Sequence, residues 1–172
     1  MNATFDEHFM KMALREAMKA ADEGEVPLGC VVVAPSVLES AHDGHPAVFS
    51  DDPTAARILG RAHNMPEGLK DATAHAEMLA MSAAFQAVGD WRLNGARLYV
   101  TKEPCPMCAG AIVLARLDAV VWGVSDPKRG GGTTFGIFDH PGINHHPELV
   151  TGVCEAESKE LLQGFFRERR RP

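Results

Sequence analysis

The chain has no long apolar run. None of its 172 residues lie in a stretch approaching the roughly 20 consecutive apolar residues that a helix needs to cross a bilayer. Met1 to Ala20 alternates charged with apolar residues, in place of the basic start, apolar middle and small-residue cleavage site of a secretory leader, so a cytoplasmic protein is expected. Cysteine is scarce as well. The four at 30, 105, 108 and 154 are too few and too unevenly spread for a disulfide framework; in a reducing compartment a C-x-x-C pair points to metal or redox chemistry. Cys30 and Cys154 lie among apolar residues and read as buried core. Positive charge is in deficit: a net charge of −6 argues against a general nucleic-acid binder, because nonspecific phosphate affinity comes from lysine and arginine. Only the end, Phe165-Phe166-Arg167-Glu168-Arg169-Arg170-Arg171, is locally basic. No internal repeat and no low-complexity tract occur.

What is present suits one compact domain spanning 1–172. A chain of this length that is 45% apolar can bury one core and has too little material for two. Phe5, Phe9, Met12, Ala13, Ala17 and Ala20 fall at helical spacing, which predicts a first helix over Phe5 to Glu23, ended by Gly24. VPLGCVVVA, within Val26 to Ala34, is rich in β-branched residues and predicts a buried strand, with Arg57 to His63 as its hairpin partner. Between them, residues 35–56 scatter Pro, Gly, Ser and Asp without a period and read as a long irregular connection. The next helix is expected over Ala74 to Val88, capped by Asp71 or Thr73. A strand over Ala96 to Thr101, a helix over Pro106 to Leu117 and a strand over Ala119 to Val124 then form a βαβ crossover, hence a partly parallel sheet. A Gly/Pro/His-rich loop covers Ser125 to Pro147, and an amphipathic helix over Glu155 to Arg170 closes the chain.

The sharpest chemical signal is Pro104-Cys105-Pro106-Met107-Cys108, where a strand hands over to a helix. Two thiols two residues apart at a helix N-terminus lie close together, and the helix dipole favours their thiolates. Dithiol redox chemistry needs nothing further. A catalytic zinc site needs three protein ligands and leaves a fourth position for water. His75 completes such a set with Cys105 and Cys108 if the two helices pack side by side with their N-termini at one sheet edge. Glu77 lies only two residues from His75, a spacing at which helical side chains diverge, which separates ligation from proton transfer. A carboxylate beside the water but off the metal can act as a general acid and base; a structural zinc site has no use for one. Spacing leaves other thiophilic metals open, although thiolate and imidazole donors suit zinc best.

The pair H-x-E and P-C-x-x-C is also the signature of zinc nucleobase deaminases. More narrowly, the chain resembles the bacterial tRNA-specific adenosine deaminases, through EVPLG (25–29), HN (63–64), TAHAEM (73–78), LYVTKEPCPMCAGAI (98–112), WGVSDPKRG (122–130), HPGINH (140–145) and FFRERR (165–170). That resemblance implies an α/β fold of the cytidine-deaminase type, three layers α/β/α around a five-stranded mixed sheet, assembled as a homodimer. It implies one Zn2+ per subunit on His75, Cys105 and Cys108, Glu77 shuttling protons, and conversion of a wobble adenosine in a tRNA anticodon stem-loop to inosine. It places Asn64 and the main chain at Ala76 on the flipped base, with Pro27 and Pro104 walling the pocket. Asp126, Lys128, Asn144, Phe165, Phe166 and Arg167 would meet neighbouring nucleotides. One departure stands out: the family joins its first two strands by a tight hairpin, and here residues 35–56 add an insertion at the sheet edge. Its His42, Asp43, His45, Asp51 and Asp52 read as a polar surface loop and not as a second metal site.

Two rivals stand beside this reading. A deaminase of a free base or nucleoside, of the guanine or cytosine type, would use the same site but close over its substrate, whereas the basic closing helix, Asp126-Pro127-Lys128 and HPGINH favour RNA. A catalytically silent zinc-binding subunit would have no need of Glu77.

Overall fold

The computed structural model describes residues 3–39 and 48–170. Five strands make one mixed sheet: β1 (Gly29–Ala34), β4 (Arg57–His63), β5 (Arg97–Lys102), β6 (Ala119–Val124) and β7 (Glu148–Thr151), in the order β4-β1-β5-β6-β7. β1 runs antiparallel to both β4 and β5, while β5, β6 and β7 are mutually parallel. Helices α3 (Ala76–Val88) and α4 (Pro106–Ala115) cover one face, and α1 (Ala3–Asp22) and α5 (Glu155–Arg169) cover the other, giving three layers. A four-residue helix, α2 (Pro66–Leu69), leads from β4 toward α3.

Alternation along the strands sorts the core. Cys30, Val32, Leu98, Val100, Val120 and Trp122 face α3 and α4; Val31, Val33, Tyr99 and Val121 face α1. Phe5, Phe9, Ala13, Ala17 and Ala20 are all fully buried, as their helical spacing predicts. The helix lies so close to the sheet that a Cβ on Gly29 would come within 2.0 Å of the Ala13 carbonyl oxygen. Gly60 plays the same part on the other face, where a Cβ would come within 2.2 Å of the Ala80 carbonyl. At the sheet end away from the cysteines, Tyr99 Oη donates to Asp6 at 2.8 Å, and Arg97 reaches both Tyr99 Oη at 3.2 Å and Glu148 at 2.9 Å. This chain of polar contacts, buried except at Glu148, ties α1 and β7 to β5.

The five-stranded mixed sheet is the one the resemblance implies; its fifth strand, Glu148–Thr151, is a short edge strand that no pattern of its own marks and whose pairing is dictated by β6. The structure corrects three expectations. The 35–56 connection is not wholly irregular: β2 (Val37–Glu39) pairs with β3 (Val48–Phe49), and Asp52 caps a short turn by accepting from the Thr54 amide at 2.8 Å. His42, Asp43 and His45 lie outside the described residues. The cap position of α3 is His75, in extended backbone, while Asp71 accepts from Thr73 N–H one turn earlier. Cys30 is buried as expected, but Cys154 is only partly so; it occupies the cap position of α5 with φ 52°.

Candidate metal centre and active site

The sheet brings two helix N-termini to one end. β5 finishes at Lys102, and Glu103 and Pro104 carry the chain into Cys105, which stands at the cap position of α4 with Pro106 in its first turn. His75 holds the equivalent place on α3. His75 Nδ1 lies 3.5 Å from Cys105 Sγ and 3.5 Å from Cys108 Sγ, and the two sulfurs are 3.7 Å apart. These three form the one cluster of this kind among the described residues.

The donor set fits a tetrahedral zinc ion. Bonds of about 2.3 Å to sulfur and 2.0–2.1 Å to nitrogen place two sulfurs roughly 3.8 Å apart and sulfur roughly 3.6 Å from nitrogen. The observed spacings lie within about 0.1 Å of those values, whereas a dithiol redox pair requires no imidazole equidistant from both sulfurs. Electrostatics sets the two thiols apart. The hydrogen bond shared with Cys108 lowers the Cys105 thiol to about 3, with His75 assisting. Cys108 is pushed up, first by that same bond and then by burial. The bond to Cys105 raises the basicity of His75 against the effect of its burial.

Glu77 is 3% exposed, and its Oε2 has no hydrogen-bond partner. Burial is the main cause of its raised carboxyl pKa, and Cys108 lies within hydrogen-bond reach of it. The expected divergence of His75 and Glu77 does not occur. Because His75 sits in extended backbone before the first helical residue, both side chains reach Cys108. A buried carboxylate with a free oxygen is costly unless something polar occupies the space before it.

Asn64, 6% exposed, directs Oδ1 at the Ala76 amide, 3.0 Å away. This bond satisfies an orphan N–H at the start of α3 and orients the amide so that Nδ2 is the donor end. The Ala76 N–H is therefore already used. Pro27 and Pro104 are buried at the same end of the sheet. His63, next to Asn64, bridges Glu16 at 3.4 Å and Glu23 at 3.2 Å. On the rim, Lys128 and Asn144 are exposed, whereas Asp126 is engaged: it pairs with Lys102 and accepts the amides of Lys128 at 3.0 Å and Arg129 at 3.1 Å. α5 delivers its C-terminal end to the end of the sheet where β1 begins. Phe165 and Arg167 lie beside Ala21 and Asp22, Arg169 donates to the Gly24 carbonyl, and Phe166 and Arg167 are exposed.

Reasoning from sequence missed Glu103. It is 3% exposed and accepts hydrogen bonds from Asp126 N–H at 2.7 Å, Gly132 N–H at 3.1 Å, Thr133 N–H at 2.7 Å and Thr133 Oγ1 at 2.9 Å. The signal was a charged residue placed between a buried strand and a buried proline.

A His/Cys/Cys cluster at two helix N-termini over a mixed sheet, with a buried carboxylate beside it, defines the class of zinc-type nucleobase deaminases. A family model described as MafB19-like deaminase matches residues 5–170, and the chain belongs to that deaminase family. A tRNA-specific adenosine deaminase of Bacillus subtilis (strain 168) is 45% identical over 169 residues, covering 98% of this chain and 92% of the relative. One from Agrobacterium fabrum is 42% identical over 165 residues, 95% of each chain. A solved structure of a tRNA:A34 deaminase, studied for A-to-I editing at the wobble position of transfer RNA, superposes with TM-score 0.74 at 39% identity, covering 90% of this chain and 99% of that one.

Proposed function

We propose that this chain, acting as one deaminase domain in the cytoplasm, hydrolyses the adenosine at the tRNA wobble position to inosine and ammonia. The observation that carries the chemistry is the buried, half-partnered Glu77 carboxylate beside His75, Cys105 and Cys108. The substrate reading draws on the likeness to tRNA-specific adenosine deaminases along nearly the whole chain.

His75, Cys105 and Cys108 would hold one Zn2+ per subunit, which when bound makes water acidic enough to attack C6 of the adenine near neutral pH. Glu77 takes one proton from the attacking water and delivers it to a ring nitrogen, then takes the second from the new C6 hydroxyl and passes it to the departing amine. Its burial suits this work, because a carboxyl whose pKa is raised gives up a proton more evenly near neutrality. Asn64 orients the base through Nδ2, and Pro27 and Pro104 shape the walls around the ring. Lys128 and Asn144, with Phe165, Phe166 and Arg167 at the end of α5, meet the flanking nucleotides of the anticodon loop. Asp126 serves that surface indirectly, by shaping the turn that carries Lys128. The subunits pair as a homodimer, as the family resemblance implies.

The test is incubation of the zinc-loaded protein with anticodon stem-loops carrying a wobble adenosine, in parallel with free guanine, cytosine and adenosine. Inosine and ammonia from the stem-loop, lost when zinc is removed, are expected. Ammonia released only from the free bases overturns the tRNA reading, and full activity without metal overturns the mechanism.

A further inference from the structure

We infer that Glu103 is a positioning residue that locks the rim loop 126–133 to the strand end carrying the metal ligands, so that the loop's cations are presented to RNA in a prearranged position. This rests on the proposed RNA substrate.

The last two residues of the run before Pro104 grip the loop twice. Lys102 pairs with the Asp126 side chain, and the Glu103 carboxylate collects three main-chain N–H groups and one hydroxyl from Asp126, Gly132 and Thr133. Strand alternation places Lys102 on the α3/α4 face, in line with Leu98 and Val100, which is the face that holds the cysteines. The loop closes on this grip with no room to spare. A Cβ on Gly130 would meet the Glu103 carboxylate at 2.3 Å, and one on Gly131 would meet Ala109 at 2.5 Å and the Pro104 carbonyl at 3.0 Å. Gly131 N–H also bonds that carbonyl at 2.8 Å, so the loop is fastened to the residue adjoining Cys105. Lys128 and Arg129 project from the same loop, exposed, while their amides are held on Asp126. The metal ligand Cys105 and the two exposed cations are thus referenced to one short stretch, Lys102 to Cys105. A buried carboxylate that satisfies four donors of a single loop makes the loop's order independent of bound RNA, and RNA then need not supply the free energy of ordering it.

The test is Glu103→Gln, which keeps the shape but replaces an acceptor oxygen with an amide that points N–H at N–H. Wild-type turnover of the stem-loop is measured first; its absence counts against the substrate reading alone. Given that turnover, Glu103→Gln should retain one zinc per chain and raise KM and Kd for the stem-loop by about tenfold to a hundredfold. Its kcat at saturating RNA should stay within about threefold of wild type, as expected of a group that touches no reacting atom. The slope of log Kd against log salt should shrink by roughly 0.7–1.4, the contribution of one or two phosphate contacts to single-stranded RNA. Thr133→Val removes a single donor from the same carboxylate and should raise KM about two- to fivefold. Unchanged KM and salt slope in zinc-loaded Glu103→Gln overturn the inference. If Glu103→Gln loses zinc or fails to fold, Thr133→Val decides: a raised KM at full zinc content supports the loop role, and wild-type KM and slope overturn it.

Discussion

Replacing Glu77 by glutamine should move activity and stability in opposite directions. The substitution keeps the length and shape of the side chain and removes its ability to accept and return a proton. A positioned general acid–base group contributes about 10²- to 10⁴-fold. Here one carboxylate serves both the water and the departing amine, so kcat should fall toward the upper end, about 10⁴-fold or roughly 5.4 kcal/mol at 1.36 kcal/mol per decade. Stability should respond the other way. The Glu77 carboxylate is 3% exposed, and its Oε2 has no partner in the protein. Substituting a neutral amide relieves a buried charged group, which is worth about 1–3 kcal/mol. At about 2–4 °C per kcal/mol for a chain of this size, the melting temperature should rise by roughly 2–12 °C. The assays are single-turnover deamination of a stem-loop, zinc content by elemental analysis, and thermal melting of the chelated protein. Loss of zinc in Glu77→Gln would refute the assignment of this residue to proton transfer, as would retention of more than about a tenth of the wild-type kcat.

Two further predictions concern how the scaffold holds the site. Glu16 is buried, yet its carboxyl pKa is lowered: burial pushes it up, and bonds to Lys19 and His63, with the charge of Arg61, more than reverse that. A lowered carboxyl stabilises the fold above its unfolded pKa and loses that contribution as pH falls through the folded value. Glu16→Gln should therefore cost about 1–3 kcal/mol at pH 7 and nearly nothing well below pH 4, measured by urea unfolding at both; an equal cost at both pH values refutes the ionic account. Gly29→Ala should cost about 3 kcal/mol, or roughly 6–12 °C of melting temperature, because the added Cβ would meet the main chain of α1 at Ala13 and Ala17, which a rotamer change cannot relieve. A melting temperature within about 2 °C of wild type would contradict the close approach of α1 to β1.

Much of this was legible along the chain wherever a local rule is strong. The apolar periodicity of α1, the β-branched run of β1 and the proline that opens α4 each set their element without help from distant residues. The residues that could hold a metal were legible for a chemical reason: a C-x-x-C at a helix start and an H-x-E at another are rare combinations whose donors match one ion. Elements whose form depends on a partner were harder to read. β7 takes its register from β6, and β2 and β3 exist as strands only through each other. The partners of Asp126, which the resemblance sets near neighbouring nucleotides, were hidden for the same reason: in the fold its charge is taken by Lys102 and its second oxygen by the amides of Lys128 and Arg129.

By itself the sequence determined the reactive groups: which residues could hold zinc, which carboxylate stood next to them, and which family's motifs the chain carries. Only the tertiary structure decided how those groups meet. Spacing suggested that His75 and Glu77 diverge, and they converge because the helix begins one residue after His75 and leaves that residue extended. Nor did any local pattern mark Glu103 as the anchor of a loop more than twenty residues further on, since hydrogen bonds between distant segments form only after the sheet has brought β5 and the end of β6 side by side. Chemistry is a property of residue types and short spacings, whereas convergence and burial are properties of the whole folded chain.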